Sequence, residues 1–458
     1  MKNTQTLTCS EKKYTYNILN SINAEIELTE NPFDLKVEEL FDMAARINKK
    51  RSFLFVSKVL GKHIPAHPQK ALLTSALLAV GYLEKVKGKK AESKDALLAA
   101  FKMNDFSYIL EPFIDSTHRP LIIGFAETAT ALGHAFIDCF ETADFFHTTR
   151  EELLNIDPVI RFEEEHSHAT SHRCYIPLEL LQDGREIILV DDELTTGNTA
   201  LNIIRSIQSQ FPRKEYTVVS ILDWRSEEAR AAFKQAEDEI GITIHIVSLV
   251  SGLAKINNEK EIEEEALVAV PEERILAEVE YIHLPNYFSG IHNPSVSGDG
   301  KVNNSYYLKE TGRFSLKAEE NGDLWSEARN AAEFLLPKRN GSRTLCLGTG
   351  EFMYLPMKIA SFMGEGVSYQ STTRSPIYVK NEPGYGAKYG LAFPNPEDKT
   401  VNHFVYNIPP GLYDEVFVFF EREVLREQLA AFLKELKKTL IPSVKIVFFS
   451  AQRGERHE

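Results

Sequence analysis

The chain has 458 residues and a formal net charge of −14, with 43% hydrophobic and 26% charged residues. That length exceeds one ordinary core, so two domains are expected; the acidity argues against a nucleic-acid surface, and no apolar run approaches the ~20 residues of a membrane span. Met1 to Gln5 lack the apolar stretch of a secretory leader, and Cys9, Cys139, Cys174 and Cys346 fall in no metal or disulfide spacing, so a cytoplasmic protein with free thiols is expected.

In chain order, apolar residues at helical spacing predict helices over 36–47, 69–88 and 94–112. A basic stretch stands out in this acidic chain: Lys49-Lys50-Arg51, then Lys58, Lys62, His63, His67 and Lys70. Strands are expected at 120–124, 143–147, 186–190, 216–223 and near 242–249, with helices at 128–140, 199–210 and 226–239 between them. Strands alternating with helices predict an α/β domain around a parallel, doubly covered sheet. Ligands bind such sheets at the carboxyl ends of the strands, which brings three loops together.

The first loop, Gly124-Phe125-Ala126-Glu127-Thr128, puts small residues after a strand and the start of a helix just beyond. A second, from His147 to about Arg173, carries Arg150, Arg161 and Arg173 with His166, His168 and His172. A mobile polar loop explains it more simply than a metal site, because no acid–histidine helix pattern accompanies those histidines. The third is the most informative: Ile187-Ile188-Leu189-Val190 runs into Asp191-Asp192-Glu193 and then Leu194-Thr195-Thr196-Gly197-Asn198-Thr199. Loop amides and a helix N-terminus aim at one spot and suit an anion. Carboxylates beside that spot suit a ligand carrying phosphate and hydroxyls, with a divalent cation nearby. Asp223, after the following strand, faces either an acceptor or the cap of the next helix.

The third loop resembles the 5-phosphoribosyl 1-diphosphate (PRPP) motif of type I phosphoribosyltransferases, and the first resembles their pyrophosphate loop. The resemblance implies that Asp191 and Asp192 hold the ribose hydroxyls and that Thr195, Thr196, Gly197, Asn198 and Thr199 wrap the 5-phosphate. Gly124 to Thr128 would bind pyrophosphate, with Arg150, Arg161 and Arg173 as candidates to neutralise it; the catalytic set is then Asp191, Asp192, Arg150 and Arg173. An accessory hood within residues 1–115, expected to be helical, would cover the acceptor side, where Lys58, Lys62, His63 and Asp223 are candidates. Mg2+ is the expected cofactor, carried by PRPP with help from Asp191 and Asp192. PRPP, a nitrogen base and a second copy in a homodimer are the expected partners, with neither nucleic acid nor membrane among them.

The second half echoes the first at a constant offset of 224 residues: Gly124 and Glu127 match Gly348 and Glu351, and Thr148-Thr149-Arg150 matches Thr372-Thr373-Arg374. Such a repeat changes the fold expectation. Glu415-Val416-Phe417-Val418-Phe419-Phe420-Glu421 stands where the PRPP strand would recur, with Phe419-Phe420 in place of the aspartates. Thr373-Arg374-Ser375-Pro376 also resembles the TRSP domain, found behind an orotate-like phosphoribosyltransferase domain in bacterial tellurite-resistance and stress operons. The expected organisation is a phosphoribosyltransferase domain over 1–252, a linker or excursion over 253–305, and a degenerate α/β domain of similar design over 306–458. The expected function is Mg-dependent phosphoribosyl transfer to or from a nitrogen base. A non-catalytic PRPP or nucleotide sensor is the alternative.

Overall fold

The computed structural model describes residues 6–10, 12–47, 52–163, 171–258 and 277–449. Lys49, Lys50, Arg51, His166 and His168 lie outside them. Two sheets organise the chain. The first has nine strands, in the order Thr6–Ser10, Lys13–Ile18, Ile22–Glu30, Thr243–Asn258, Glu215–Asp223, Ile187–Leu194, Leu121–Gly124, Asp144–His147 and Leu316–Lys317. The five strands from Thr243–Asn258 to Asp144–His147 are parallel to one another. Ile187 to Val190 and Leu121 to Ile123 are fully buried, because strands covered on both faces read as unbroken apolar runs. The helices Pro68–Lys85, Ala129–Ile137, Asn198–Gln210 and Glu227–Ile240 fall where the sequence places them.

Three sequence expectations change. Residues 6–30 are three antiparallel strands, not part of a helical hood. Of the helix expected over 36–47 only Val37–Leu40 forms; Phe41–Ala45 is a strand paired with Phe53–Ser57. Its other edge is used as well, since Gly386 donates to the Met43 carbonyl and Tyr378 to that of Ala45, so tertiary pairing overrides helix propensity. The helix expected over 94–112 stops at Met103, where Asn104 takes a left-handed conformation (φ 54°) and closes the last turn.

The second sheet is wholly parallel, in the order Glu278–His283, Ser443–Phe448, Glu415–Phe420, Thr344–Gly348 and Val367–Ser371. This repeats the order Thr243–Asn258, Glu215–Asp223, Ile187–Leu194, Leu121–Gly124, Asp144–His147. One position differs in origin: the outer strand Glu278–His283 precedes its sheet in the chain instead of following it. Residues 253–258 therefore belong to the first sheet and 278–283 to the second, which shortens the expected linker. Leu316–Lys317 crosses back to pair with Asp144–His147 and covers the edge of the first sheet.

One apolar cluster runs through both halves, and a second lies within the second half alone. Helix Ala129–Ile137 packs on its counterpart Tyr354–Phe362. Along this seam the His134 ring stacks on Tyr354 at 3.6 Å between centroids, and Tyr354 and Lys358 both reach the buried Asp138 carboxylate, at 2.5 and 3.4 Å.

Candidate active site

Asp191, Asp192 and Glu193 end the strand Ile187–Leu194 in half-buried positions, next to Thr195, Thr196 and the left-handed Gly197 (φ 73°). The helix begins at Asn198, so the loop is short and the acids, the loop and the helix start follow one another directly. Only glycine fits at 197: a Cβ there would lie 2.4 Å from the Phe233 ring. The Asp191 carboxylate accepts the Asp192 amide at 2.9 Å. Burial, and then Glu193 beside it, push Asp192 up to about 6. Thr199 is the second residue of that helix, half-buried.

The loop Gly124 to Thr128 starts next to these acids. Gly124 lies opposite Val190 in register, and the Phe125 amide donates to the Val190 carbonyl at 3.1 Å. Gly124 has no room for a side chain, because a Cβ would sit 2.8 Å from the Ala129 carbonyl. The Ala126–Glu127 peptide is cis. Thr148 braces the loop: its hydroxyl accepts the Ala126 amide at 2.9 Å and bonds the His172 ring at 2.8 Å, while its amide donates to the Gly124 carbonyl. Glu127 is buried and pairs with Lys62 at 3.2 Å and Arg150 at 3.6 Å. Lys62 is itself buried, which disfavours its charge, while Glu127 and, less, Asp192 favour it.

The other candidates divide. Arg150 belongs to this cluster. Arg173 lies behind it, donating to the carbonyls of Arg150 and Ser171 and to Glu152. Arg161 is exposed on the hairpin Ile160–Glu163/Ser171–Cys174, so the segment expected as one long loop is in part an ordered β-hairpin. His172 is buried there, stacked on Phe162, and among the described residues no group of three His, Cys, Asp or Glu could hold a metal. Lys58 is not brought to the site: it pairs with Asp42 at 2.7 Å on the hood hairpin. His63 is buried next to Lys62, and burial with Lys62 and Arg46 pushes it down to about 3. Asp223 is turned inward, held by two 2.9 Å bonds from Arg225.

Several contacts were not foreseen. Glu351 of the second half accepts Thr149 Oγ1 at 2.6 Å, the Arg150 amide at 2.8 Å and Arg313 at 2.7 Å. Arg313 is 1% exposed and also meets Glu421 at 3.1 Å. The offset of 224 was the one sequence signal for Glu351. Nothing marked Arg313.

Residues 40–253 match the family model described as phosphoribosyl transferase, and residues 310–436 match that of the TRSP domain C-terminal to it. No curated protein is similar in sequence. Among solved structures, the adenine phosphoribosyl transferase of Trypanosoma brucei aligns at 11% identity over 53% of this chain and 86% of its own, with a TM-score of 0.27. That of Rhodothermus marinus aligns at 13% over 46% and 95%, also with a TM-score of 0.27. The Leishmania donovani enzyme aligns at 17% over 37% and 68%, with a TM-score of 0.22.

Proposed function

From a chain that belongs to the phosphoribosyl transferase family over residues 40–253 and carries a TRSP domain behind them, we propose the following reaction and roles for individual residues. The enzyme exchanges the diphosphate of PRPP for a ring nitrogen of a base, or runs the same exchange in reverse. In the forward direction the C1–O bond to diphosphate breaks and a C1–N bond forms, the departing oxygen carrying the electron pair and the base losing a proton. The observation that supports this reading is the joining of Asp191-Asp192, the loop Gly124 to Thr128 and Lys62 at the carboxyl edge of one sheet.

Asp191 and Asp192 orient the ribose hydroxyls and lie near the positive charge that develops on the sugar. Thr195 to Thr199 receive the 5-phosphate on amides and hydroxyls. Lys62 and Arg150 outnumber Glu127 beside the pyrophosphate-type loop and favour the leaving group. Catalysis then comes from positioning and from fixed charge more than from covalent chemistry by the protein.

Mg2+ fits this arrangement as an ion brought by PRPP. Asp191 and Asp192 would offer it carboxylate oxygens, and a cation there would favour the charged form of Asp192 that burial, and then Glu193, disfavour. When bound, Mg2+ neutralises charge on the diphosphate.

The hood hairpin Phe41–Ala45/Phe53–Ser57 packs its Phe41 and Phe55 on Trp224, past the end of strand Glu215–Asp223, and would wall the acceptor side. His63, held neutral, suits an uncharged ring better than an anion. A homodimer would form through faces other than the Ala129–Ile137 seam, which this chain's own second domain occupies. A location in the cytoplasm and a link to tellurite or stress resistance belong to the same reading. Incubation with PRPP, Mg2+ and a panel of nitrogen bases, following diphosphate release, tests it; binding of PRPP without turnover across the panel would favour a sensor.

A further inference from the structure

We infer that the TRSP domain serves as an internal partner of the first domain and that Arg374 supplies a cation to the diphosphate side of its site. The inference rests on the phosphoribosyl reading above and extends it to a residue in the other domain.

The two domains repeat each other down to individual hydrogen bonds. Thr372 does in the second what Thr148 does in the first: its hydroxyl accepts the Gly350 amide at 2.8 Å, bonds the His403 ring at 3.0 Å, and its amide donates to the Gly348 carbonyl at 3.0 Å. Thr373 and Phe404 exchange backbone hydrogen bonds, as Thr149 and Arg173 do. Arg374 is therefore the counterpart of Arg150.

The two loops face each other. Glu351 reaches from the second loop to Thr149 and Arg150, and its carbonyl accepts Thr130 Oγ1 at 3.2 Å. In the opposite direction, Glu127 lies beside the second loop, with a Cβ built on Gly350 only 4.0 Å from its Oε1. His403 is 3% exposed, and its Nε2 has no partner among the described residues. Arg374 acts electrostatically on Glu127, Glu351 and His403 together. Lys62 and Arg150 pair with Glu127, and Arg374, two residues past the Thr372 that holds the Gly350 amide, brings a further positive charge to the same seam in a chain of net charge −14.

The second domain does not duplicate the site. Phe419 lies opposite Gly348 as Val190 lies opposite Gly124, so Phe420 and Glu421, one residue on from the expected Phe419-Phe420, stand where Asp191 and Asp192 do, and Glu421 is taken up by Arg313. Arg313, from the segment entering the domain, spans Glu351 and Glu421, and the Leu308 amide also donates to Glu421. What the domain has left to offer is the charge of Arg374 at the seam.

The test is calorimetric titration of the full-length protein and of Arg374→Gln with Mg·PRPP, inorganic diphosphate and ribose 5-phosphate. We expect Arg374→Gln to weaken PRPP and diphosphate by about 10- to 100-fold, the scale of a lost charge-assisted contact, and to leave ribose 5-phosphate within about twofold. Arg374→Lys, which keeps the charge, should fall between the two and covers the case in which Arg374→Gln does not fold. Equal binding of diphosphate by wild type and variants, or an equal loss of ribose 5-phosphate, overturns the inference alone. A wild-type protein that binds none of the three overturns the phosphoribosyl reading and the inference with it.

Discussion

Thr149 of the first domain donates a 2.6 Å hydrogen bond to Glu351 of the second, and the same carboxylate accepts the neighbouring Arg150 amide and the Arg313 guanidinium. All three groups are buried or nearly so, and a buried guanidinium without its partner is costly. Glu351→Ala should therefore destabilise the protein by about 3–5 kcal/mol, and Glu351→Gln by less because two of the three bonds survive in kind. Equilibrium denaturation of the full chain measures this; an unchanged midpoint for Glu351→Ala would show that the seam does not depend on it.

Lys62 and Glu127 make a second buried pair. Lys62→Met leaves Glu127 with only the longer Arg150 contact, so a loss of about 3 kcal/mol is expected, together with weaker binding of diphosphate. Lys62→Met combined with Glu127→Gln should regain most of the stability without regaining the binding. If the double variant is no more stable than the single one, the pair is not the cause.

At Gly197 backbone and packing act together. Alanine there must adopt φ near 73° and push its Cβ into Phe233, costing about 1–2 kcal/mol for the conformation before the clash is counted. Gly197→Ala should weaken ribose 5-phosphate at least tenfold, because the loop amides are displaced, while inorganic diphosphate still binds. Equal loss of both ligands in titration would argue against separate subsites.

Much of the first domain was legible because its signals are local. Ile187 to Thr199 gives an apolar strand, acids and a small-residue loop in one stretch, and Gly124 begins a similar turn. The N-terminal strands were not legible: residues 22–30 become a strand by pairing with Thr243–Asn258 more than two hundred residues away. Phe41–Ala45 misled for the same reason, since its strand depends on partners at 53–57 and 378–386. Lys58, Lys62 and His63 look alike in sequence, but folding separates them: Lys58 stays on the hairpin surface while Lys62 turns into the core beside Glu127. Asp223 could not be read because its Arg225 partner is just as plausible a ligand contact until the geometry is known. The offset of 224 pointed to the repeat, yet nothing in it said that the repeats face one another.

Acid should weaken the fold through its buried histidines. Burial leads the causes that hold His63 at about 3 and His147 and His403 at about 4, against about 6.5 in the unfolded chain. The unfolded state thus binds more protons, so stability is present above pH ~6.5 and is lost as pH falls toward 4, by up to about 1.4 kcal/mol per pH unit for each histidine. Thermal midpoints between pH 7.5 and 4.5 should fall accordingly, and His403→Gln should flatten the slope. A flat profile for the wild type would contradict this.

The most direct measurement is Mg·PRPP binding to the wild type and to the Asp191→Asn/Asp192→Asn variant, with thermal unfolding as the check on structure. The wild type should bind PRPP, and the double variant should keep its fold but bind at least a hundredfold more weakly, the cost of about two lost charge-assisted contacts. Equal binding by a folded double variant would contradict the role given to the paired aspartates.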